Sequence, residues 1–188
     1  MGGAAFLQGV PRLLLHCCCA PCAGYVLEHL ALAYRISALF FNPNIMPGDE
    51  FYKRRAGLEK LLSQAVYPNN VDMLISGYDN ASFLALAGPY MDGPEGGARC
   101  RVCFSLRLGE AARRAKSDGY GFFATTLTVS PHKDAGVINE VGVTLQKEYG
   151  VTYLASDFKK NDGYKRSVEI SKQYGLYRQS YCGCVLVK

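Results

Sequence analysis

Short apolar runs alternate with longer amphipathic segments along the chain, and this alternation predicts its secondary structure. Runs that are short and apolar enough to form buried strands occupy residues 12–17, 36–41, 71–76, 121–129 and 151–155. Segments with a helical spacing of apolar residues occupy residues 22–34, 49–64, 80–86, 100–116, 133–149 and 162–174. The Gly- and Pro-rich stretch at residues 88–97 is predicted to be a loop or lid.

This alternation is typical of a doubly wound, Rossmann-like α/β fold, in which a mostly parallel five-stranded sheet carries helices on both faces. The 188 residues suit a single domain at residues 1–188, with the cysteine-bearing tail at 175–188 closing the functional pocket. Ligands bind such sheets beyond the carboxyl ends of the strands, where the strand order reverses. If the order is 3-2-1-4-5, the turn after the first strand and the loop at residues 125–133 face one pocket.

Composition and charge narrow the class of protein. Hydrophobic residues make up 49% of the chain and charged residues 20%, which is ordinary for a soluble globular protein. No run approaches the roughly 18 uninterrupted apolar residues that a membrane helix needs, and the start lacks the basic region of a secretory signal. We therefore expect a cytoplasmic protein with no membrane partner. The net charge of +5 permits a polyanionic partner without requiring one.

Eight cysteines in tight clusters are the strongest chemical signal in the sequence. Because a secretory signal is not apparent, a disulfide scaffold is disfavoured, and metal or redox chemistry explains the clusters better. Four of the thiols fall within residues 16–22, between the first predicted strand and the first predicted helix. Pro21 suits the first turn of that helix, and the positive helix end stabilises thiolates. Cys17 is interpreted as a small core residue and His16 as a hydrogen-bonded strand-end residue.

Two further cysteine pairs lie far along the chain, Cys100 with Cys103 and Cys182 with Cys184. Combined with thiols of the turn, the pair at the predicted helix start supplies the ligands of a four-thiolate site. Four thiolates complete the coordination of a structural zinc ion, but at least three other cysteines then remain unexplained. An iron-sulfur cluster with neighbouring thiols that bind a second metal or shuttle electrons explains more of them. The spacing leaves both alternatives open.

Polar residues of other loops supply further candidates. Asp157 follows the fifth predicted strand, so it is a candidate metal ligand or proton donor in the pocket. The basic residues after it, up to Arg166, either form a solvated surface or contact phosphates. Tyr177, Arg178 and Gln179 directly precede the last cysteine pair, and aromatic residues mixed with basic ones are typical of proteins that stack on unpaired RNA bases.

Six motifs occur in order between residues 12 and 184: His16-x-Cys18-Cys19-x-Pro21-Cys22, Phe41-x-Pro43-Asn44-Ile45, Arg99-Cys100-x-x-Cys103, Thr125-Thr126-Leu127 with Ser130-Pro131-x-Lys133, Asp157-Phe158-Lys159-Lys160, and Tyr177-Arg178-Gln179-x-Tyr181-Cys182-Gly183-Cys184. Together they resemble the QueH-type epoxyqueuosine reductases. The resemblance implies reduction of the epoxide of epoxyqueuosine, in the anticodon loop of tRNA, to queuosine, the last step of queuosine biosynthesis. It also implies a fold like the nucleotide-hydrolase and tRNA-thiolation domains, a 4Fe-4S cluster, and a second metal ion, an iron, beside it. An external electron donor such as ferredoxin or flavodoxin is needed for turnover.

Given this resemblance, the spacing of the thiols divides them between two metal sites. The cluster is assigned to Cys18, Cys22, Cys100 and Cys103. The second metal or redox pair is assigned to the catalytic residues Cys19, Asp157, Cys182 and Cys184. Substrate contacts are assigned to Lys133, Tyr164, Arg166, Tyr177, Arg178 and Gln179. The proton donor to the departing oxygen is Asp157, Tyr164, Lys133 or a cysteine thiol.

Two other functions are compatible with parts of the sequence. An ATP-using tRNA-modifying enzyme of the same architecture needs a Gly- or Ser-rich phosphate loop after the first strand, where this chain has cysteines. A zinc-stapled RNA-binding module needs no redox chemistry and is distinguished by its colour and metal content. A flavin or nicotinamide site is not indicated, because no strand is followed by the G-x-G-x-x-G fingerprint.

Overall fold

Five parallel strands form the central sheet of the structure, a computed structural model that describes residues 9–184. The strands are β1 (Arg12–His16), β2 (Arg35–Phe40), β3 (Val71–Ile75), β4 (Phe122–Thr125) and β5 (Thr152–Tyr153). Their order is β3-β2-β1-β4-β5, and each neighbouring pair is parallel. The predicted α/β class is confirmed, and the strand order is the one on which the expected position of the pocket was conditional. The order reverses between β1 and β4, so the carboxyl ends of these two strands border the crevice where ligands bind such sheets.

Six helices flank the sheet. They are α1 (Ala20–Leu30), α2 (Gly48–Gln64), α3 (Asn80–Ala87), α4 (Ala98–Ser117), α5 (Ala135–Tyr149) and α6 (Gly163–Gln173), with short 3-10 turns at Gly88–Tyr90 and Leu127–Val129. Helices α1, α2 and α6 pack on one face, while α4 and α5 pack on the other. Within residues 9–184, no helix has the length and apolar character needed to cross a bilayer.

Strand β1 lies in the middle of the core and is buried on both faces. Leu13 and Leu15 pack with the α1, α2 and α6 side, whereas Leu14 packs with the α4 and α5 side, and all three side chains are fully buried. This two-sided burial is the reason that the strand reads as an unbroken apolar run. The turn that follows β1 is therefore fixed by a rigid strand.

Two boundaries near the crevice differ from the prediction. Strand β4 ends at Thr125, because Thr126 turns the chain and the Leu127 N–H donates to Thr125 Oγ1 at 3.2 Å. Leu127 and Val129 are buried all the same, so their apolar character did not distinguish a strand from a 3-10 turn. Helix α1 begins at Ala20, two residues before the predicted start, which places Cys22 in its first turn.

The contact between α5 and β5 depends on a glycine. A Cβ added at Gly142 would overlap Cε1 of the buried Tyr153 ring. We expect Gly142→Ala to lower the free energy of unfolding by about 1–3 kcal/mol, because the ring has to shift within a packed core. Gly109→Ala in α4 is the matched control, since its nearest neighbour would be 3.9 Å away. Urea unfolding should show the control unchanged or stabilised by up to about 1 kcal/mol, and equal destabilisation of both variants would contradict the prediction.

Candidate metal centre

Three sulfur atoms converge at the turn between β1 and α1. The Sγ atoms of Cys18, Cys19 and Cys22 all lie within 4.8 Å of one another, and those of Cys18 and Cys19 are 3.7 Å apart. Cys19 is the extended N-cap residue of α1, and Pro21 occupies the first helical turn, where it sacrifices no hydrogen bond. The turn therefore brings its sulfurs to the positive end of the helix, and such a soft donor set suits zinc or iron.

Polar groups from distant segments orient these sulfurs. Thr126 Oγ1 accepts the Cys18 N–H at 3.2 Å, and its hydroxyl donates to Cys18 Sγ at 3.4 Å. Gln179 Nε2, from the tail, donates to Cys19 Sγ at 2.9 Å. Hydrogen-bond donors around ligand atoms hold them in place and tune the bound metal. The structure thus surrounds the three thiols with groups suited to supporting metal ligands.

The three thiols share their protons unequally. Hydrogen bonds from Cys19 and Cys22 hold the pKa of Cys18 well below its ordinary value, with help from the positive charges of Arg107 and Lys133. The hydrogen bond to Cys18 raises the pKa of Cys19 to about 12. Hydrogen bonds to Cys18 and Cys19, followed by burial, raise the pKa of Cys22. Of the three thiols in the turn, Cys18 is therefore the one whose pKa most favours the thiolate.

Metal uptake by this turn is expected to tighten as the pH rises. Because ligands bind as thiolates and the pKa values of Cys19 and Cys22 are raised, binding through all three sulfurs releases about two protons. The dissociation constant for Zn²⁺ should then fall by up to about 100-fold per pH unit between about pH 6 and pH 8. Chelator competition measures this slope. Cys17→Ser should keep it, and a pH-independent constant in the wild-type protein would contradict the proton assignment.

A second group of sulfurs lies beside the tail. Cys103, Cys182 and Cys184 pack around Phe83 and Ala87. Burial raises the pKa of Cys103, and Arg107 donates to its Sγ at 3.8 Å. Cys100 is half-buried, accepts the Gly96 N–H at 3.2 Å, and packs against the core cluster that contains Cys18 and Cys19. The spacing-based hypothesis divides the thiols differently, since it separates Cys19 from Cys18 and Cys22.

A cavity of about 500 Å³ opens beside both groups of sulfurs. Cys18, Cys22 and Cys182 line it together, so the turn and the tail face the same space. Its other lining residues include the cationic side chains of Arg54, Arg107, Lys133 and Arg178. The cavity lies at the carboxyl ends of β1 and β4, as the strand order predicts. Its charge suits an anionic ligand.

Two residues next to the triad have structural roles, as the sequence indicates. Cys17 is fully buried and packs with Leu13 and Leu15 in the core cluster on the opposite face from Cys18 and Cys19. His16 is also fully buried, and its Nδ1 lies 2.9 Å from Thr125 Oγ1. Burial, reinforced by the charge of Arg107, lowers the pKa of His16 to about 3. His16 is therefore a neutral, hydrogen-bonded strand-end residue.

The structure brings some of the predicted substrate contacts to the cavity and places others elsewhere. The lining includes Lys133, Tyr164, Arg178 and Gln179.

Three predicted site residues are engaged away from that lining. Arg166 pairs with Glu28 at 2.7 Å and with Glu169 at 3.3 Å on an exposed surface. The Tyr177 hydroxyl donates to the Glu50 carboxylate, and the ring stacks under Lys53. Asp157 pairs with Lys159 Nζ at 2.7 Å and lines an adjoining open pocket that shares Lys133 with the cavity.

The sequence did not predict that two arginines are buried at the site. Arg54 pairs with Glu50 at 2.7 Å and donates to the carbonyls of Tyr181 and Cys182, each at 3.1 Å. Arg107 connects α4 to the cysteine turn through His16 Nε2 at 3.3 Å. A signal was present, because each arginine lies on the apolar face of its helix, where a charged residue is rare unless it has a partner.

The family model that matches this chain and the similar proteins found by comparison carry the same description. The family model described as epoxyqueuosine reductase QueH matches residues 13–188. A protein of Streptococcus pyogenes serotype M1 with that name is 45% identical over 177 residues, which cover 93% of this chain and 69% of the relative. One from Staphylococcus epidermidis is 42% identical over 182 residues, covering 93% and 75%. One from Thermotoga maritima is 36% identical over 174 residues, covering 92% and 88%.

Proposed function

Because the chain belongs to the QueH family of epoxyqueuosine reductases, we propose that it reduces the epoxide of epoxyqueuosine in tRNA, which completes queuosine. The observation that carries this proposal is the convergence of turn and tail sulfurs on one cationic cavity at the carboxyl ends of β1 and β4. A nucleoside attached to a polyanion needs such a setting, since cationic side chains hold the backbone while the reacting group reaches the sulfurs.

A metal centre fits the residues present. Buried thiols that already accept hydrogen bonds form the donor set of a soft metal site. We infer that Cys18, Cys19 and Cys22, with Cys100 as the fourth ligand, hold a 4Fe-4S cluster. We infer that Cys103, Cys182 and Cys184 hold a second metal ion, an iron. This division is supported by the proximity of the Cys18, Cys19 and Cys22 sulfurs and by the packing of Cys103, Cys182 and Cys184 in one cluster, whereas the spacing of the thiols assigns Cys19 and Asp157 to the second site.

The chain's own residues supply protons and orientation. When bound, the metal centre supplies single electrons and Lewis acidity toward the epoxide oxygen. Removing that oxygen as water takes two electrons and two protons. Lys133 Nζ and the Tyr164 hydroxyl are the proton donors that the cavity lining favours, and Arg178 Nη2 lies 3.5 Å from that hydroxyl. The tail, held against Cys19 through Gln179, orients the nucleoside and limits the access of water.

The substrate and the electron source follow from the same proposal. The anticodon loop of tRNA presents its modified base unpaired, and Tyr164 with Arg178 at the cavity supplies an aromatic ring and a cation for such a base. An external carrier such as ferredoxin or flavodoxin delivers the electrons. A tRNA substrate and such carriers place this reaction in the cytoplasm.

Anaerobic purification followed by metal analysis and an activity assay tests the proposal. The protein should be brown, contain iron and sulfide, and convert epoxyqueuosine to queuosine in tRNA when dithionite is supplied, as nucleoside mass spectrometry would show. Reactions without dithionite are the control. A colourless protein that contains zinc and binds the tRNA without changing it would instead support the zinc-stapled RNA-binding module.

A further inference from the structure

Arg107 is a buried cation that lines the cavity beside the cysteine turn. Its side chain projects from α4, and the residue is 3% exposed. The guanidinium donates from Nε to His16 Nε2 at 3.3 Å, from Nη1 to Cys103 Sγ at 3.8 Å, and from Nη2 to Asn42 Oδ1. Every nitrogen of the guanidinium therefore has a partner, and Cys103 is the partner that can carry a negative charge.

The partners of Arg107 differ from those of the other buried arginine at the cavity. Arg54 has a carboxylate partner, Glu50, at 2.7 Å. Among residues 9–184, no carboxylate forms an ion pair with Arg107. His16 Nε2 accepts from the guanidinium at 3.3 Å, and the amide of Asn42 is uncharged. A guanidinium keeps its charge in proteins, and a buried charge without a counter-charge is strongly unfavourable.

Thiolate sulfurs can supply the negative charge that would balance the buried guanidinium of Arg107. Arg107 lines the cavity together with Cys18 and Cys182, and it contacts Cys103 directly. Arg107 thus contacts a member of one sulfur group directly and shares the cavity lining with a member of the other.

We propose that Arg107 is the fixed counter-charge of the metal centre and sets its reduction potential. One-electron reduction by an external reductant makes a thiolate-bound cluster more negative, so a nearby buried cation stabilises the reduced state more than the oxidised one. Arg107 is a positioning residue in this account, since it acts through the sulfur ligands. The inference rests on the proposed function to the extent that it requires an iron-sulfur cluster in this site.

Redox titration of the isolated holoprotein, followed by electron paramagnetic resonance and without tRNA, tests the inference. In Arg107→Gln we expect the equilibrium constant for one-electron reduction to fall at least tenfold, a shift of about 59 mV to lower potential. Arg107→Lys keeps the charge and should stay near the wild type. Arg113→Gln is the matched control on the same helix, because that arginine is exposed and paired with Glu110. An unchanged potential in Arg107→Gln, or equal shifts in the Gln and Lys variants, would overturn the inference.

If Arg107→Gln does not assemble the metal centre, the iron content of the two Arg107 variants tests the inference instead of the reduction potential. Iron retained by Arg107→Lys but lost from Arg107→Gln would support a need for charge, whereas loss from both would overturn it. The readout is independent of epoxyqueuosine. If Arg107→Gln shifts the potential but the wild-type protein leaves epoxyqueuosine unchanged, the proposed function is refuted and the inference is kept. If the wild-type protein reduces epoxyqueuosine but Arg107→Gln leaves the potential unchanged, the inference is refuted and the proposed function is kept.

Discussion

Cys22→Ser is expected to abolish both the metal centre and epoxyqueuosine reduction. The Sγ of Cys22 lies within 4.8 Å of the Cys18 and Cys19 sulfurs, so its replacement removes one corner of the donor set. A serine hydroxyl stays protonated near neutral pH and is a harder donor, which makes it a poor ligand for iron in a sulfur site. We expect activity to fall by at least about 100-fold, in parallel with iron content. Anaerobic iron and sulfide analysis beside the tRNA assay measures both losses.

Cys17→Ser is the matched control for this variant. The two cysteines are close in sequence, but Cys17 is fully buried in the core cluster on the other face of β1. The added hydroxyl should cost about 1–3 kcal/mol of stability, because it is buried in an apolar environment, while iron and activity per folded molecule are retained. Loss of iron from Cys17→Ser with retention in Cys22→Ser would refute the assignment of the site to the triad.

Arg54→Met should release the tail and destabilise the fold. The guanidinium of Arg54 is buried against Glu50 and donates to the carbonyls of Tyr181 and Cys182. Removing one partner of a buried ion pair costs about 3–5 kcal/mol, because the other charge is left uncompensated. Urea unfolding measures this loss. Trypsin should also cleave faster after Arg178, and activity should fall because Cys182 is no longer held at the cavity.

Two further variants separate the effect of the uncompensated Glu50 charge from the effect of the lost hydrogen bonds between Arg54 and the tail. The double variant Glu50→Gln/Arg54→Met removes both charges and should recover part of the stability, while its tail remains sensitive to trypsin. Arg55→Met is the matched control, since Arg55 is partly exposed and pairs with Glu59, an arrangement worth about 0.5 kcal/mol. Equal stability losses at Arg54 and Arg55 would contradict the anchoring role.

The sheet was predictable because its central strands are buried on both faces. Leu13 to Leu15 read as a continuous apolar run, and the alternation with amphipathic helices then restricts the strands to a parallel arrangement. The boundaries were less predictable where burial continues beyond a strand, as at Leu127 and Val129. The hydrophobic pattern therefore specified the layers better than it specified the end of β4.

Side-chain partners account for most of what the sequence did not reveal about the site. Arg166 and Tyr177 resemble RNA contacts in composition, yet Glu28 and Glu50 lie opposite them in space and engage them. The grouping of Cys19 with Cys18 and Cys22 depends on the extended backbone of the N-cap residue, which cysteine spacing does not specify. Long-range pairs of this kind arise from tertiary structure, and local sequence patterns do not contain them.

The anchoring of the tail through its main chain has a consequence for how this segment can vary. Arg54 binds the carbonyl oxygens of residues 181 and 182, and the Met46 N–H donates to the carbonyl of Gly183. These hydrogen bonds do not involve the Cys182 thiol. The side chain at position 182 can therefore be exchanged, and its reactivity changed, while the main-chain contacts that anchor the tail are kept.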